Sequence, residues 1–125
     1  LAASITIDAD DDDGTDGNIT IGNAAGDTLD ASKAGTEAIT INSGDGDLTV
    51  FSDFGNSIAL GTVDVNSTGG TISWNGDIQT RNADVDFSGV NGTVDVTGND
   101  GGTFLVDTSD AAGERVLIAT RRLKE

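Results

Sequence analysis

The chain has 125 residues, with 22 acidic and 6 basic side chains, a net charge of −16, and no Cys, His, Pro or Met. The missing Cys and His residues exclude a disulfide framework, an ordinary zinc site, a cysteine nucleophile and histidine-based catalysis. The charge excludes a general nucleic-acid binder, which needs a cationic surface, and no apolar run approaches the roughly 20 residues that cross a bilayer.

Ten short segments alternate apolar and polar residues, as half-buried β-strands do. Gly, Asn, Asp and Ser residues fill the gaps and indicate tight turns rather than a disordered chain. The 19 Asp residues outnumber 3 Glu residues, which disfavours a helical bundle because Glu is the better helix former. In chain order, the predicted strands span 5–7, 19–21, 39–41, 48–50, 63–65, 72–74, 85–87, 94–96, 104–106 and 116–118.

The spacing of these segments predicts a repeating unit. A first series of strands begins at positions 19, 39, 63, 85 and 104, and a second series begins at 48, 72, 94 and 116. The offset between the two series is nine residues on three occasions, so a two-strand unit recurs about every 22 residues. A third, weaker strand is expected at 58–60 and 78–80.

A near-constant period with a constant internal offset is typical of a solenoid, in which like residues of stacked turns form columns about 4.8 Å apart. We therefore predict an all-β fold, a parallel β-helix (β-solenoid) with about 22 residues per coil and about five coils. The coils are expected over 1–113, with an acidic loop at 8–17, and 114–125 are expected to form a last strand or cap with a basic tail. A β-sandwich or jelly roll is the alternative, since these folds also contain many short strands.

Asn residues recur at one predicted corner of the coil. Asn42, Asn66 and Asn91 follow strands of the first series at intervals of 24 and 25 residues. Stacked Asn side chains can hydrogen-bond to one another along a column, which would make these residues a structural turn ladder. Alternatively, each Asn simply tolerates a left-handed turn. Trp74 aligns with Val50 and Val96, and we expect it in the core.

Six carboxylates within nine residues form the densest charge in the chain and suit a hard cation such as Ca²⁺. The candidate ligands are Asp8, Asp10, Asp11, Asp12, Asp13 and Asp16. The spacing does not fit an EF-hand, and a solvated acidic loop is the alternative. If the two series stack, Asp64 and Asp86 also face outward on adjacent coils and repel each other.

Three segments, 17–22, 38–50 and 59–67, resemble the repeats of filamentous-haemagglutinin-like exoproteins and autotransporter-type adhesins, which are large bacterial surface proteins. The resemblance covers roughly 1–108 and is one of repeat style, without a catalytic motif. It implies a right-handed β-helix, secretion across the outer membrane, and a role in adhesion, biofilm or cell-surface structure. Because the chain carries no Met, we expect it to be a processed or excised piece.

The end of the chain departs from this repeat style, because four of the six basic residues lie in the last eleven positions. Two leucines near this end are also expected to face outward. Together they form a candidate self-association surface: Leu105, Leu117, Arg115, Arg121, Arg122 and Lys124. This surface is expected to meet the acidic loop of a second copy and give head-to-tail filaments, while a monomeric segment of a longer stalk is the alternative.

We therefore predict a non-catalytic structural or adhesive segment of a secreted or cell-surface bacterial protein, such as a stalk, adhesin shaft or matrix fibre. The expected partners are other copies, adjoining coils, or a surface or matrix polysaccharide, with no nucleic acid and no membrane span. One alternative is a Ca²⁺-dependent extracellular filament or surface-layer subunit. Another is a polysaccharide-active β-helix enzyme using Asp64, Asp86 and Arg81, although a 22-residue coil leaves little room for a cleft. An ice-binding face is disfavoured because the outward Thr rows change to Asp.

Overall fold

The computed structural model describes residues 1–10, 15–96, 104–109, 119–120 and 123–124. These residues form short strands joined by turns, and within them there is no helix long and apolar enough to cross a membrane. The strands in chain order are β1 (Ile5–Asp8), β2 (Ile19–Ile21), β3 (Thr28–Leu29), β4 (Ile39–Asn42), β5 (Leu48–Val50), β6 (Asp53–Phe54), β7 (Val63–Ser67), β8 (Ile72–Trp74), β9 (Ile78–Gln79), β10 (Val85–Val90), β11 (Val94–Val96), β12 (Val106–Asp107), β13 (Ala119–Thr120) and β14 (Leu123–Lys124).

The strands assemble into three parallel sheets, each of which takes one strand from every turn of the chain. The first sheet has the order β1-β4-β7-β10-β13, the second β2-β5-β8-β11-β14, and the third β3-β6-β9-β12. Every pairing is parallel and joins strands of successive turns. The chain is therefore a parallel β-solenoid, which confirms the predicted fold class. We call the connections from first to second, second to third, and third to first sheet the first, second and third corners.

The turns differ in length. Ile5, Ile39, Val63 and Val85 stack in one column of the first sheet, so the three turns between them contain 34, 24 and 22 residues. The predicted period holds for the second and third turns. The predicted number of about five coils is too high, because the long first turn leaves about three complete turns in the described residues.

The spacing of the sequence places two predicted strands, 19–21 and 104–106, in the wrong sheet. Ile19 stacks on Leu48 in the second sheet, and Ile39 stacks on Ile5, because the longer first and second corners of the first turn shift the repeat. Val106 stacks on Ile78 in the third sheet rather than following Val85 in the first. After β11, the second sheet continues with β14, and the predicted strand at 116–118 lies outside the described residues.

The third strand of each turn is present but shifted in one place. The predicted strand at 78–80 corresponds to β9, whereas the predicted strand at 58–60 is replaced by β6. Leu60 forms only a single parallel bridge with Thr80. Phe54 is the buried residue in this part of the turn, whereas Ile58 is 38% exposed.

Apolar columns from the three sheets fill the interior. Inward side chains of the second and third turns are fully buried, and they stack on like residues one turn away. Trp74 stacks between Val50 and Val96, as predicted, and its ring meets Phe54 and Phe87 edge-on at centroid distances of 4.9 and 5.5 Å. The Trp74 Nε1–H has no hydrogen-bond acceptor among the described residues, so apolar packing rather than a hydrogen bond holds the ring in the core. Burial of these columns stabilises the fold by about 25 cal/mol for each Å² of apolar surface that is removed from water.

Glycines at the first corner let successive turns approach closely. A Cβ on Gly70 would lie 2.0 Å from the Gly46 carbonyl oxygen, and one on Gly92 would lie 2.1 Å from the Gly70 oxygen. A Cβ on Gly46 would likewise lie 2.4 Å from the Gly17 oxygen. Together with Gly17 these residues form a glycine column, and no side chain fits at Gly46, Gly70 or Gly92, so this corner fixes which residues can stack.

Candidate functional site

Aspartate side chains link successive turns along the solenoid axis. The Asp47 carboxylate accepts a hydrogen bond from the Thr71 N–H at 2.8 Å at the first corner. The Asp53 carboxylate accepts one from the Asp77 N–H at 2.9 Å at the second corner. In each case the carboxylate belongs to one turn and the N–H to the next, so these bonds add to the backbone ladders. We call them axial carboxylate links.

The links continue in both directions along the axis. The Asp77 carboxylate accepts the Leu105 N–H of the following turn at 2.9 Å. In the first turn, the Asp30 carboxylate accepts the N–H groups of Ser57 and Ile58 at 2.9 and 3.3 Å. Charged acceptors make stronger hydrogen bonds than neutral ones, and a backbone N–H at a corner otherwise has no ladder partner. The abundance of Asp over Glu follows from this geometry, since the shorter side chain spans the ~4.8 Å between turns and loses less rotamer freedom.

A reciprocal pair anchors the acidic loop to the second turn. The Asp16 carboxylate accepts the Asp45 N–H at 2.7 Å, and the Asp45 carboxylate accepts the Asp16 N–H at 3.2 Å. Close by, the Asn18 side-chain oxygen accepts the Asp47 N–H at 2.9 Å. The far end of the loop is therefore held by hydrogen bonds between side chains and backbone.

The predicted asparagine ladder is present in part. Asn42 and Asn66 stack in register on the first sheet, and the Asn66 Nδ2 donates to the Asn42 Oδ1 at 3.1 Å. The inclusion of Asn91 was wrong, because an irregularity in β10 shifts the register and places Gly89 beside Asn66. Asp8 occupies the same column on the other side of Asn42.

The Asn66 side chain fills the space above Gly89. A Cβ on Gly89 would lie 1.9 Å from the Asn66 Oδ1, so the ladder ends at a residue without a side chain. Asn91 instead donates its backbone N–H to the Ser67 carbonyl at 2.8 Å. Among the described residues, the ladder thus joins two asparagines, Asn42 and Asn66.

The two outward carboxylates of the first sheet stack as predicted. Asp64 and Asp86 are in register on adjacent turns, next to Thr40. The Ser88 N–H donates to the Asp86 carboxylate at 2.7 Å. The Ser88 hydroxyl, and then its N–H, lower the pKa of Asp86 below its ordinary value. Asp86 is therefore held in its anionic form beside a like-charged neighbour.

Three of the six candidate calcium ligands are described. Asp8 accepts the Asp10 N–H at 3.1 Å, and Asp16 is engaged with Asp45. Asp11, Asp12 and Asp13 lie outside the described residues. Within the described ranges, no three acidic side chains converge as a metal-binding group. Calcium binding by the complete loop remains a prediction.

The structure describes two members of the candidate self-association surface. Leu105 points outward from the third sheet and is 38% exposed, as expected. Lys124 lies in β14, in register with Asp95 of β11, at the outer edge of the second sheet. Arg115, Leu117, Arg121 and Arg122 lie outside the described residues.

A buried carboxylate at the third corner was missed by sequence reasoning. Glu37 is 8% exposed, and it accepts the Ser32 hydroxyl at 2.7 Å and the Ser32 and Lys33 N–H groups at 3.0 and 3.3 Å. Hydrogen bonds from the Thr36 and Ser32 side chains, and then from these N–H groups, lower the pKa of the Glu37 carboxyl from 4.5 to about 2, although burial opposes the shift. The signal that could have found it is a Ser five residues before the only Glu of the repeat region.

A polar groove opens at the third corner and was also missed. The corner between β9 and β10 spans 80–84, three residues fewer than the corner at 55–62 in the turn before it. The groove beside these two corners has a volume of about 410 Å³. Its lining includes Gln79 and Arg81 of the third turn, which we call the floor, and Asn56, Ser57 and Ile58 of the second turn, which we call the wall. The uneven gaps between predicted strands were the available signal.

No protein-family model matches the chain, and neither does any curated protein or any solved structure. Its function has to be inferred from its own geometry. That geometry consists of continuous ladders, axial carboxylate links and an acidic outer face.

Proposed function

We propose that this chain is a structural and adhesive β-solenoid segment of a secreted or cell-surface bacterial protein, serving as a stalk, adhesin shaft or matrix fibre. The proposal assigns it no catalytic role. The observation that carries it is the set of axial carboxylate links, which add hydrogen bonds between turns to those of the three backbone ladders. Every such bond resists separation of one turn from the next, which is what a shaft under tension requires.

The surface location rests on the sequence resemblance and on charge. The repeats at 38–50 and 59–67 resemble those of bacterial exoproteins, and a net charge of −16 keeps an extended rod hydrated and apart from its neighbours. The partners of such a segment are adjoining coils, other copies, and cell-surface or matrix polysaccharide.

Stretching a single molecule tests the shaft proposal. The chain is joined between two marker domains of known unfolding behaviour and pulled by atomic force microscopy. A turn of about 24 residues should lengthen the molecule by roughly 8 nm when it unravels. We expect discrete ruptures in multiples of this step, which shift to lower force when Asp47 and Asp53 are both replaced by Ala. Extension without any rupture, as for an unstructured chain, would contradict a load-bearing role.

A calcium-dependent filament or surface-layer subunit is a second candidate, favoured by the in-register carboxylates of Asp64 and Asp86. Anions held one turn apart attract a divalent cation, and the acidic loop at 8–17 adds more charge. In this proposal Ca²⁺ joins the acidic loop of one copy to another copy. Light scattering during calcium titration separates the two candidates, since growth of large particles supports the filament and constant scattering supports the shaft alone.

A further inference from the structure

The groove at the third corner has the architecture of a small binding site. It runs across four successive turns, from Ala34 in the first through Ser57 and Arg81 to Asp107 in the fourth. Its volume of about 410 Å³ lies in the range of about 300–1,000 Å³ that is usual for small-molecule sites. A structural shaft does not need such a groove, so the groove requires an explanation of its own.

The floor of the groove is fixed by hydrogen bonds. The Thr80 hydroxyl is buried and donates to the Ala83 carbonyl at 2.6 Å, which closes the turn that presents Arg81. Asn82, next in sequence, has a φ of 51°, and it is the only non-glycine residue with positive φ in the described part of the chain. The Arg81 N–H donates to the Leu60 carbonyl at 2.8 Å, so its backbone is also tied to the previous turn.

The wall is held equally firmly. The Asp30 carboxylate accepts both N–H groups of Ser57 and Ile58, and the Gly55 N–H donates to the Leu29 carbonyl at 2.9 Å. Gly55 has a φ of +75°, and a Cβ there would lie 2.1 Å from the Gln79 oxygen, so only glycine permits this approach of wall and floor. A backbone ordered before binding loses little entropy when a ligand arrives.

The side chains around this fixed frame carry planar hydrogen-bonding groups. Asn56 and Gln79 carry amides, Arg81 a guanidinium, and Asp107 a carboxylate whose Oδ1 also accepts the Ser109 N–H at 2.9 Å. Such groups present paired donors or paired acceptors, which match the adjacent hydroxyls of a sugar ring. The exposed Ile58 side chain adds an apolar patch for the C–H face of the ring.

The charges of the groove and of the whole chain indicate which class of sugar would bind. Among the described residues of the lining, Arg81 is the one cation and Asp107 the one anion, so their charges balance. The chain as a whole carries −16 and repels polyanions. We propose that this groove is a binding subsite for a neutral oligosaccharide. The inference rests on the proposed adhesive role for its ligand class, while the shaft role does not depend on it.

Binding is measured by NMR titration of the 125-residue chain at physiological ionic strength. The probes are neutral trisaccharides of glucose, galactose, mannose and N-acetylglucosamine, with a trigalacturonate as the acidic comparison. We expect at least one neutral trisaccharide to shift the amide signals of residues 55–59 and 79–81, and the trigalacturonate to bind at least tenfold more weakly.

Two variant pairs locate the site. Ser57→Trp fills the groove and Arg81→Ala removes a charged donor, and each should weaken binding at least tenfold. Thr62→Trp places the same bulk at an exposed position outside the groove, and Lys33→Ala removes another exposed cation; both should bind within twofold of the parent chain. Melting temperatures identify any variant that fails to fold.

The proposal is overturned if no neutral trisaccharide binds, if only the trigalacturonate binds, or if Ser57→Trp binds as well as Thr62→Trp does. Each of these results leaves the stretching experiment unaffected. Failure of the subsite is therefore distinguishable from failure of the shaft.

Discussion

At the scale of single residues, the carboxylates are structural groups as much as surface charges. Asp47, Asp53 and Asp77 each accept a backbone N–H from the following turn, and Glu37 gathers the N–H groups of one loop. A surface carboxylate usually contributes little to stability, but one that satisfies an otherwise unpaired N–H contributes more. The acidic side chains therefore stabilise the fold in addition to keeping the surface hydrated.

Removal of one axial link should measure its contribution. Asp53→Ala leaves the Asp77 N–H without its acceptor, and we expect a loss of about 1–3 kcal/mol of unfolding free energy. Asp53→Asn retains a side-chain oxygen and should lose less. Asp84→Ala, at an exposed corner position, is the matched control and should change stability by less than about 0.5 kcal/mol. Urea denaturation gives all three values; equal losses for Asp53→Ala and Asp84→Ala would show that the link contributes nothing.

The shifted pKa of Glu37 predicts a defined pH dependence. Because the folded-state pKa of about 2 lies below the ordinary value of 4.5, the contribution of Glu37 is fully present above pH 4.5 and is lost as the pH falls toward 2. In Glu37→Gln this contribution is absent at every pH. Thermal melts should show the two proteins differing most above pH 5 and converging at lower pH. A constant difference down to pH 2 would contradict the assigned pKa.

At the scale of elements, the strands could be predicted well and their sheet assignment less so. Alternation of apolar and polar residues predicts the first-sheet and second-sheet strands of the second and third turns, since each has one buried face. Ile19 was misplaced because corner length, unlike strand pattern, leaves no periodic trace in the sequence. The prediction for Asn91 was wrong for a similar reason. The irregularity between Asp86 and Gly89 shifts the register, and the spacing of the sequence does not reveal such a shift.

The candidate site was less predictable than the fold. The Asn42–Asn66 pair followed from equivalent corner positions, but the axial links and the groove depend on contacts between turns whose register was unknown. Asp53 and Asp77 are 24 residues apart, which is one turn, and that spacing becomes informative only when the sheet assignment is known. The groove is lined by residues of successive turns, and no single segment encodes that arrangement.

The glycine column predicts different effects at two neighbouring positions. A methyl group on Gly70 would meet the Gly46 carbonyl oxygen at 2.0 Å, whereas one on Gly69 would come no closer than 3.7 Å to its nearest neighbour. Gly70→Ala should therefore destabilise the protein by about 1–3 kcal/mol, as overpacking does, and Gly69→Ala should be neutral or slightly stabilising. Chemical denaturation of the two variants compares them directly. Equal tolerance at both positions would mean that the turns are not in this close contact.

At the scale of the whole molecule, stability is a sum over stacked turns. Each turn packs on its neighbours, and most close residue pairs are distant in sequence, so no turn folds on its own core. Among the described strands, those at the ends of each sheet pair on one side only, such as β1 and β13 in the first sheet. Further turns or a second copy could extend these ladders without new chemistry.

The acidic outer face predicts a dependence on salt. Asp64 and Asp86 lie about 5 Å apart in register, where two exposed charges repel by roughly 1 kcal/mol at low ionic strength. Melting temperature should rise with NaCl and, at lower concentration, with CaCl₂. Asp64→Asn should reduce this rise. A melting temperature indifferent to both salts would show that the repulsion is negligible.

The central claim is that successive turns stack in parallel, so that residues one turn apart are neighbours. Nuclear Overhauser measurements on the isotopically labelled chain test it most directly. We predict backbone contacts from Asp64 to Thr40 on one side and to Asp86 on the other, with the pattern of parallel strands. Strong Hα–Hα contacts between strands adjacent in sequence, such as β4 and β5, would instead reveal antiparallel pairing and contradict the solenoid.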